Sequence, residues 1–193
     1  MGDAGVFSHV HKNFAHPVRN AAALGIQPGM KVADFGSGSG AYVLAIAAQL
    51  QHSGHVYAID IQKDLLRRTH NDAAKRGFKN VEIVWADLEA PGGSKIADNA
   101  LELVLISNLL FQIDDKRAVV VEAKRILRPN GRLAVIDWSD SFNMTGPHKD
   151  DVVRKEDVLT LARAVELTFV KEFTAGAHHY GLIFRKQGKG TVK

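Results

Sequence analysis

Apolar residues come in short blocks separated by amphipathic stretches, and the alternation runs from residue 31 to residue 138. Residues 31–35 (KVADF) form a compact apolar run that closes on glycines, which predicts a buried strand. Residues 41–51 are rich in helix formers and long enough for three turns. A second strand is predicted at 55–60 (HVYAID), then an amphipathic helix at 63–77 that Gly77 stops. A third strand at 81–87 (VEIVWAD) leads to an open loop at 91–95 (PGGSK). The fourth strand, 100–107 (ALELVLIS), is followed by a helix at 116–127, a turn at 128–131 (RPNG) and a fifth strand at 132–138 (RLAVIDW). Apolar strands alternating with helices argue for a parallel sheet wrapped by helices.

After residue 138 the rhythm changes. A polar loop leads to a helix near 154–166, and then two strand-like runs follow, 168–174 and 180–186, only five residues apart (AGAHH). That gap is too short for a helical crossover, so the last two strands must form an antiparallel hairpin.

Composition narrows the classes. The 193 residues, 46% apolar and 24% charged, fit one soluble domain. There is no cysteine, which excludes disulfides, thiolate metal sites and a cysteine nucleophile, and fits a cytoplasmic enzyme. The first twenty residues lack the apolar core of a signal peptide, Val6 stands where a myristoylation signal wants Ser or Thr, and no apolar run reaches membrane-spanning length. Of 25 lysines and arginines, four (Arg185, Lys186, Lys189, Lys193) lie in the last nine residues; the remaining 21 face 21 acids. The body is neutral and the excess sits in a tail expected to be solvated, so nucleic acid is not the favoured partner.

The candidate chemistry begins at VADFGSGSGAY, residues 32–42. Gly36-x-Gly38-x-x-Ala41 fits a dinucleotide fingerprint, whereas Asp34-x-Gly36-x-Gly38-x-Gly40 fits another adenosine ligand, and the loop alone leaves both open. Asp34 ends the first strand, where a carboxylate repels a pyrophosphate and attracts an ammonium. Asp60, at the tip of the second strand, is placed to accept from both hydroxyls of a ribose. Asp87 closes the third.

With VADFGSGSG, VYAID, VWADLE, LVLISNLLFQ and RILRPNGRLAVIDW in this order, the chain resembles the class I S-adenosylmethionine-dependent methyltransferases of the small-molecule kind, similar to the ubiquinone-biosynthesis and type 11 enzymes, over residues 28–186. The resemblance implies a Rossmann-like α/β fold with a seven-stranded sheet of order 3-2-1-4-5-7-6, strand 7 antiparallel, and helices on both faces. Residues 1–27 would form a lid, 28–186 the core and 187–193 a basic tail. It implies S-adenosylmethionine as cofactor, held by Asp34, Gly36, Ser37, Gly38 and Gly40, by Asp60 and Ile61, by Asp87 and Leu88 at the adenine, and by Ser107 and Asn108.

The acceptor is expected beyond the carboxyl ends of the strands. Ser107, Asn108, Asp137 and Trp138 should all face that pocket, and the antiparallel last strand brings His178, His179 and Tyr180 to its rim. His178, His179 and Asp137 are the candidate catalytic groups; Trp138, Tyr180 and, from the lid, His11 and Phe14 are candidate substrate contacts. No metal is expected, since neither thiolates nor a His-x-x-x-His helix accompanies the histidines. Ser107-Asn108-Leu109-Leu110 departs from the Asn/Asp-Pro-Pro-aromatic motif of amino-group methyltransferases and from the aspartate of ribose 2′-oxygen enzymes. The expected substrate is a small or medium-sized acceptor; a nucleic-acid enzyme and a non-catalytic cofactor-binding module are the alternatives.

Overall fold

Val32, Ala33 and Phe35 are fully buried, as a strand covered on both faces requires. They belong to β1 (Lys31–Phe35), at the centre of one seven-stranded sheet in a computed structural model that describes residues 15–142 and 146–188. The other strands are β2 (His55–Asp60), β3 (Val81–Trp85), β4 (Leu101–Ser107), β5 (Leu127–Trp138), β6 (Leu167–Gly176) and β7 (His179–Lys186). Their order is β3-β2-β1-β4-β5-β7-β6. All neighbours run parallel except β7, which is antiparallel to both β5 and β6. The sheet order and the closing hairpin are those expected from the sequence, and the hairpin turn is only two residues, Ala177 and His178.

Helices α1 (Pro17–Ala23), α2 (Ala41–Gln49) and α3 (Lys63–Lys75) pack on one face, in a cluster with Val32, Val56, Leu105 and Ile136. Helices α4 (Lys116–Ile126) and α5 (Lys155–Ala164) cover the other, with Ala33, Val104, Val135 and Leu182. Alternate residues of each strand serve opposite clusters, the period of two that a pleated strand imposes. The α3 helix ends as its Gly77 predicts. With Gly77 at φ +75°, its amide donates to the Ala74 carbonyl and the Phe78 amide to Ala73, closing a Schellman motif.

Three local expectations are corrected. The residues read as a helix end and a turn, 127–131, lie within β5: Leu127 already pairs with Leu101, and the chain loops out around Asn130 (φ +66°) before Arg132 pairs with Leu103. The third strand stops at Trp85, because Asp87 folds back to accept from the Glu89 amide at 3.0 Å. The 91–95 loop is not open: Ser94 is fully buried, and its amide and hydroxyl both donate to Glu122 of α4.

The basic tail also looks different in three dimensions. Lys186 is the last residue of β7, and its Nζ donates to the carbonyls of Lys124 (2.7 Å) and Leu127 (2.6 Å) and to Asn99 Oδ1 (2.8 Å). It satisfies orphan carbonyls at the C-terminus of α4 rather than hanging in solvent. Replacing Lys186 with Met is expected to cost about 1–3 kcal/mol, the loss of charge-assisted bonds to buried carbonyls. A chemical denaturation midpoint unchanged from wild type would contradict this. Residues 1–14 and 189–193, which include His11, Phe14 and most of the tail, lie outside the described residues.

Candidate active site

The turn after β1 needs left-handed backbone at Gly36, Gly38 and Gly40 (φ +68°, +50° and +77°). Gly40 is the N-cap of α2, and a β-carbon there would stand 2.5 Å from Thr69 Oγ1 of α3. A β-carbon on Gly38 would meet no other atom closer than 3.9 Å and would extend into open space. Asp60 latches the loop: one carboxylate oxygen accepts from the Gly38 amide at 2.9 Å and the other from the Gln62 amide at 2.8 Å.

Two cavities adjoin across this loop, sharing Gly36, Gly38 and Gln112. One, about 290 Å³, is lined by Asp34, Ser37, Tyr42, Ser107, Asn108 and, from the N-terminal segment, Ala15 and Pro17. The other, about 390 Å³, is lined by Asp60, Ile61, Leu65, Asp87, Leu88 and Ile113. Of the residues read from sequence as cofactor contacts, Asp34, Gly36, Ser37, Gly38, Asp60, Ile61, Asp87, Leu88, Ser107 and Asn108 all line this double cleft. Gly40 lies behind it, against Thr69.

The polar atoms of the smaller cavity are poised but unsatisfied. Ser37 Oγ, Ser107 Oγ and Asn108 Oδ1 are buried with no hydrogen-bond partner among the described residues. Asp34 is 2% exposed, and burial, with Asp60 nearby, pushes its carboxyl up to about 8. A neutral acid and orphaned hydroxyl and amide groups are what a cationic, hydrogen-bonding ligand would repair. Tyr42 and Gln112 belong to the same walls, although the sequence did not single them out; Tyr42 was detectable as the second residue of the helix leaving the loop.

The strand tips beyond β4 divide by face. Asp34, Ser107, Trp138 and His179 share the side of the sheet covered by α1 and α2, since they alternate in step with Val32, Leu105, Ile136 and Ile183 of that cluster. Asp137 and its ladder partner Tyr180 point to the opposite side. The structure therefore does not bring Asp137 together with His179, nor Tyr180 with Trp138. Asp137 is fully buried, accepts from the amides of Leu110 (3.1 Å) and Trp138 (2.9 Å), and burial pushes it up to about 7. The Tyr180 hydroxyl donates to the Val153 carbonyl at 2.9 Å, and burial raises its pKa. Both side chains are tied to neighbouring backbone.

His178 and His179 also part. His178, in the turn, pairs with Asp140 (2.9 Å) and stacks on Phe142 with centroids 4.0 Å apart. His179 is 5% exposed, its ring 4.2 Å from that of Trp138, and neither ring nitrogen has a partner among the described residues. Burial and the neighbouring His178 push its pKa down to about 4, so it is neutral at pH 7. Trp138 is only 7% exposed, packed between His179 and the loop at Gly146, where an added β-carbon would lie 2.7 Å from its ring. Among the described residues no group of three or more His, Asp or Glu could hold a metal ion.

A glycine turn between a parallel strand and a helix, with acids at the ends of successive strands and a two-part cleft above them, defines a nucleoside-cofactor protein of the Rossmann-like class. A family model described as a methyltransferase domain matches residues 26–181. The chain belongs to this family, the class I S-adenosylmethionine-dependent methyltransferases, and the cofactor is S-adenosylmethionine. The arsenite methyltransferase of Halobacterium salinarum is 30% identical over 133 residues, covering 69% of this chain and 32% of that protein. The ubiquinone/menaquinone biosynthesis C-methyltransferase UbiE of Hahella chejuensis is 32% identical over 120 residues, covering 62% of this chain and 47% of that protein. The chain thus spans about a third to a half of the length of these curated relatives. Its fold is similar to the crystal structure of a SAM-dependent methyltransferase from Aquifex aeolicus, with a TM-score of 0.82 and 23% identity over 93% of each chain.

Proposed function

We propose that the chain transfers a methyl group from S-adenosylmethionine to a small-molecule acceptor lying beyond the ends of β4, β5 and β7. The observation that carries this reading is the double cleft. Asp34 and the unsatisfied Ser107 and Asn108 stand at one end, suited to an amino-acid ammonium and carboxylate. Asp60, Asp87 and Leu88 stand at the other, suited to a ribose and an adenine. The cofactor supplies an electrophilic methyl group on a sulfonium. The chain's part is to bind, exclude water and align.

Alignment can lower a barrier by roughly 7–11 kcal/mol. That suits this site, where the candidate bases are poorly placed to take protons. His179, neutral and unpartnered beside Trp138, lines a cavity of about 470 Å³ with Ser139, Arg154, Thr174 and Tyr180, and is positioned to hydrogen-bond an acceptor there. Asp137 acts at one remove, by fixing the Leu110 amide and with it the segment that carries Asn108 and Gln112. A small acceptor is supported by the relatives, an arsenite methyltransferase and a C-methyltransferase of ubiquinone and menaquinone biosynthesis. The lack of cysteine argues against thiolate capture of arsenic here. The nucleic-acid alternative loses support, because Lys186, one of the four C-terminal cations, is bound to carbonyls at the end of α4.

Calorimetric titration with S-adenosylmethionine, S-adenosylhomocysteine and NAD tests the cofactor half. We expect binding of the first two in the micromolar range, about −8 kcal/mol, and none of NAD. Binding of NAD alone would overturn the reading. Turnover is then sought by methyl-group release assays across oxygen, nitrogen and carbon acceptors. Cofactor binding with no turnover on any acceptor would favour the non-catalytic module.

A further inference from the structure

Asn20 is 1% exposed, in α1, and its Nδ2 donates in two directions. One bond, 3.0 Å, goes to the Tyr42 hydroxyl; the other, 2.8 Å, goes to the Ala175 carbonyl. Tyr42 lines the cavity of Asp34 and Ser107. Ala175 is fully buried and precedes Gly176, whose ladder partner is His179. One amide group therefore bridges the cofactor cavity and the hairpin that carries both candidate histidines, across 155 positions of sequence. Its Oδ1 is buried without a partner among the described residues. An unsatisfied buried carbonyl is costly, and the two bonds from the same amide, to Tyr42 and Ala175, offset it. Ala15 and Pro17, on the same segment, border the cavity directly.

We propose that Asn20 is a positioning residue that transmits occupancy of the cofactor cavity to the β6–β7 hairpin, so that the acceptor side is set once the cofactor is in place. The inference rests on the cofactor assignment above. Its route is a chain of contacts. A ligand against Tyr42 and Pro17 steadies α1, Asn20 steadies the Ala175 carbonyl, and that backbone fixes where His179 stands against Trp138. Because coupling of this kind is reciprocal, an acceptor held at His179 tightens cofactor binding in turn.

Hydrogen exchange on the full chain, with S-adenosylhomocysteine as the probe, tests it. In the wild type, saturating probe should slow exchange in residues 173–180 by about tenfold, within the usual range of site–site coupling. In Asn20→Ala the probe should still protect the glycine loop, while the hairpin no longer responds. Tyr42→Phe keeps the ring and loses the hydroxyl, and should uncouple the hairpin in the same way; it decides the matter if Asn20→Ala does not fold. A merely structural Asn20 would lower the melting temperature and leave the probe-induced difference intact, which overturns the proposal. So does a wild-type hairpin indifferent to a probe that protects the loop. A probe that protects nothing in the wild type counts instead against the cofactor assignment.

Discussion

Asp34→Asn should make the ligand-free protein more stable and a poorer binder of its cofactor. The carboxyl of Asp34 is enclosed, and burial together with Asp60 pushes it up to about 8. The unfolded chain releases that proton near pH 4, the folded one only near 8, so the folded state holds the extra proton in between. Stability therefore falls as pH rises through that window, and the native acid is most costly above pH 8. Asparagine carries no such penalty. The melting temperatures of variant and wild type should coincide near pH 3.5 and diverge by pH 8.5. Even one pKa unit, ~1.4 kcal/mol, corresponds to roughly 3–5 °C for a chain of this size. Affinity for S-adenosylhomocysteine should move the other way, weakening by about 10–100-fold through loss of a charged partner. In the wild type, that affinity should rise from pH 6 to 8 as binding expels the Asp34 proton; in the variant this slope should vanish. Equal melting temperatures at pH 8.5, or an unchanged slope, would remove Asp34 from the ammonium site.

Asp60→Ala should have the larger effect on binding alone. Asp60 holds the Gly38 and Gln62 amides as well as facing the nucleoside end of the cleft. Its removal takes away a ligand acceptor and also frees the Gly38 amide, while Gly36 and Gly40 keep backbone bonds to Ile59 and Ser37. Two charge-assisted bonds at about 1.5–3 kcal/mol each put the expected loss of S-adenosylhomocysteine affinity at a hundredfold or more. Calorimetry decides it, and an affinity within about threefold of wild type, less than ~1 kcal/mol, would place the ribose elsewhere.

Much of this architecture was legible before any coordinates, for particular physical reasons. β1 and β2 match their sequence boundaries because a buried strand that must stop at a glycine turn or a carboxylate leaves little freedom in where it ends. The hairpin followed from a gap too short to cross the sheet. The start of β5 was missed because Leu127 suits a helix and a strand equally, and only its partner Leu101 settles which it joins. The residues read as cofactor contacts, Gly40 apart, fall together in one cleft, since they sit within a few positions of strand ends. The residues read as acceptor contacts divide between the two faces of the sheet. Asp137 and Trp138 were expected on one wall, although consecutive strand residues face opposite ways; His179 and Tyr180 alternate likewise, yet both line one cavity with Arg154 and Thr174. Asn20 carried no local signal at all, because its two partners lie 22 and 155 positions away.

The alternation at the tips of β5 and β7 has a bearing on how such a scaffold can diversify. Trp138 and His179 share one surface, while Asp137 and Tyr180, their immediate neighbours, are sewn into the framework on the other. Every second letter of two short words can then change without touching the bonds of Asp137 and Tyr180, which keep the spelling of the fold.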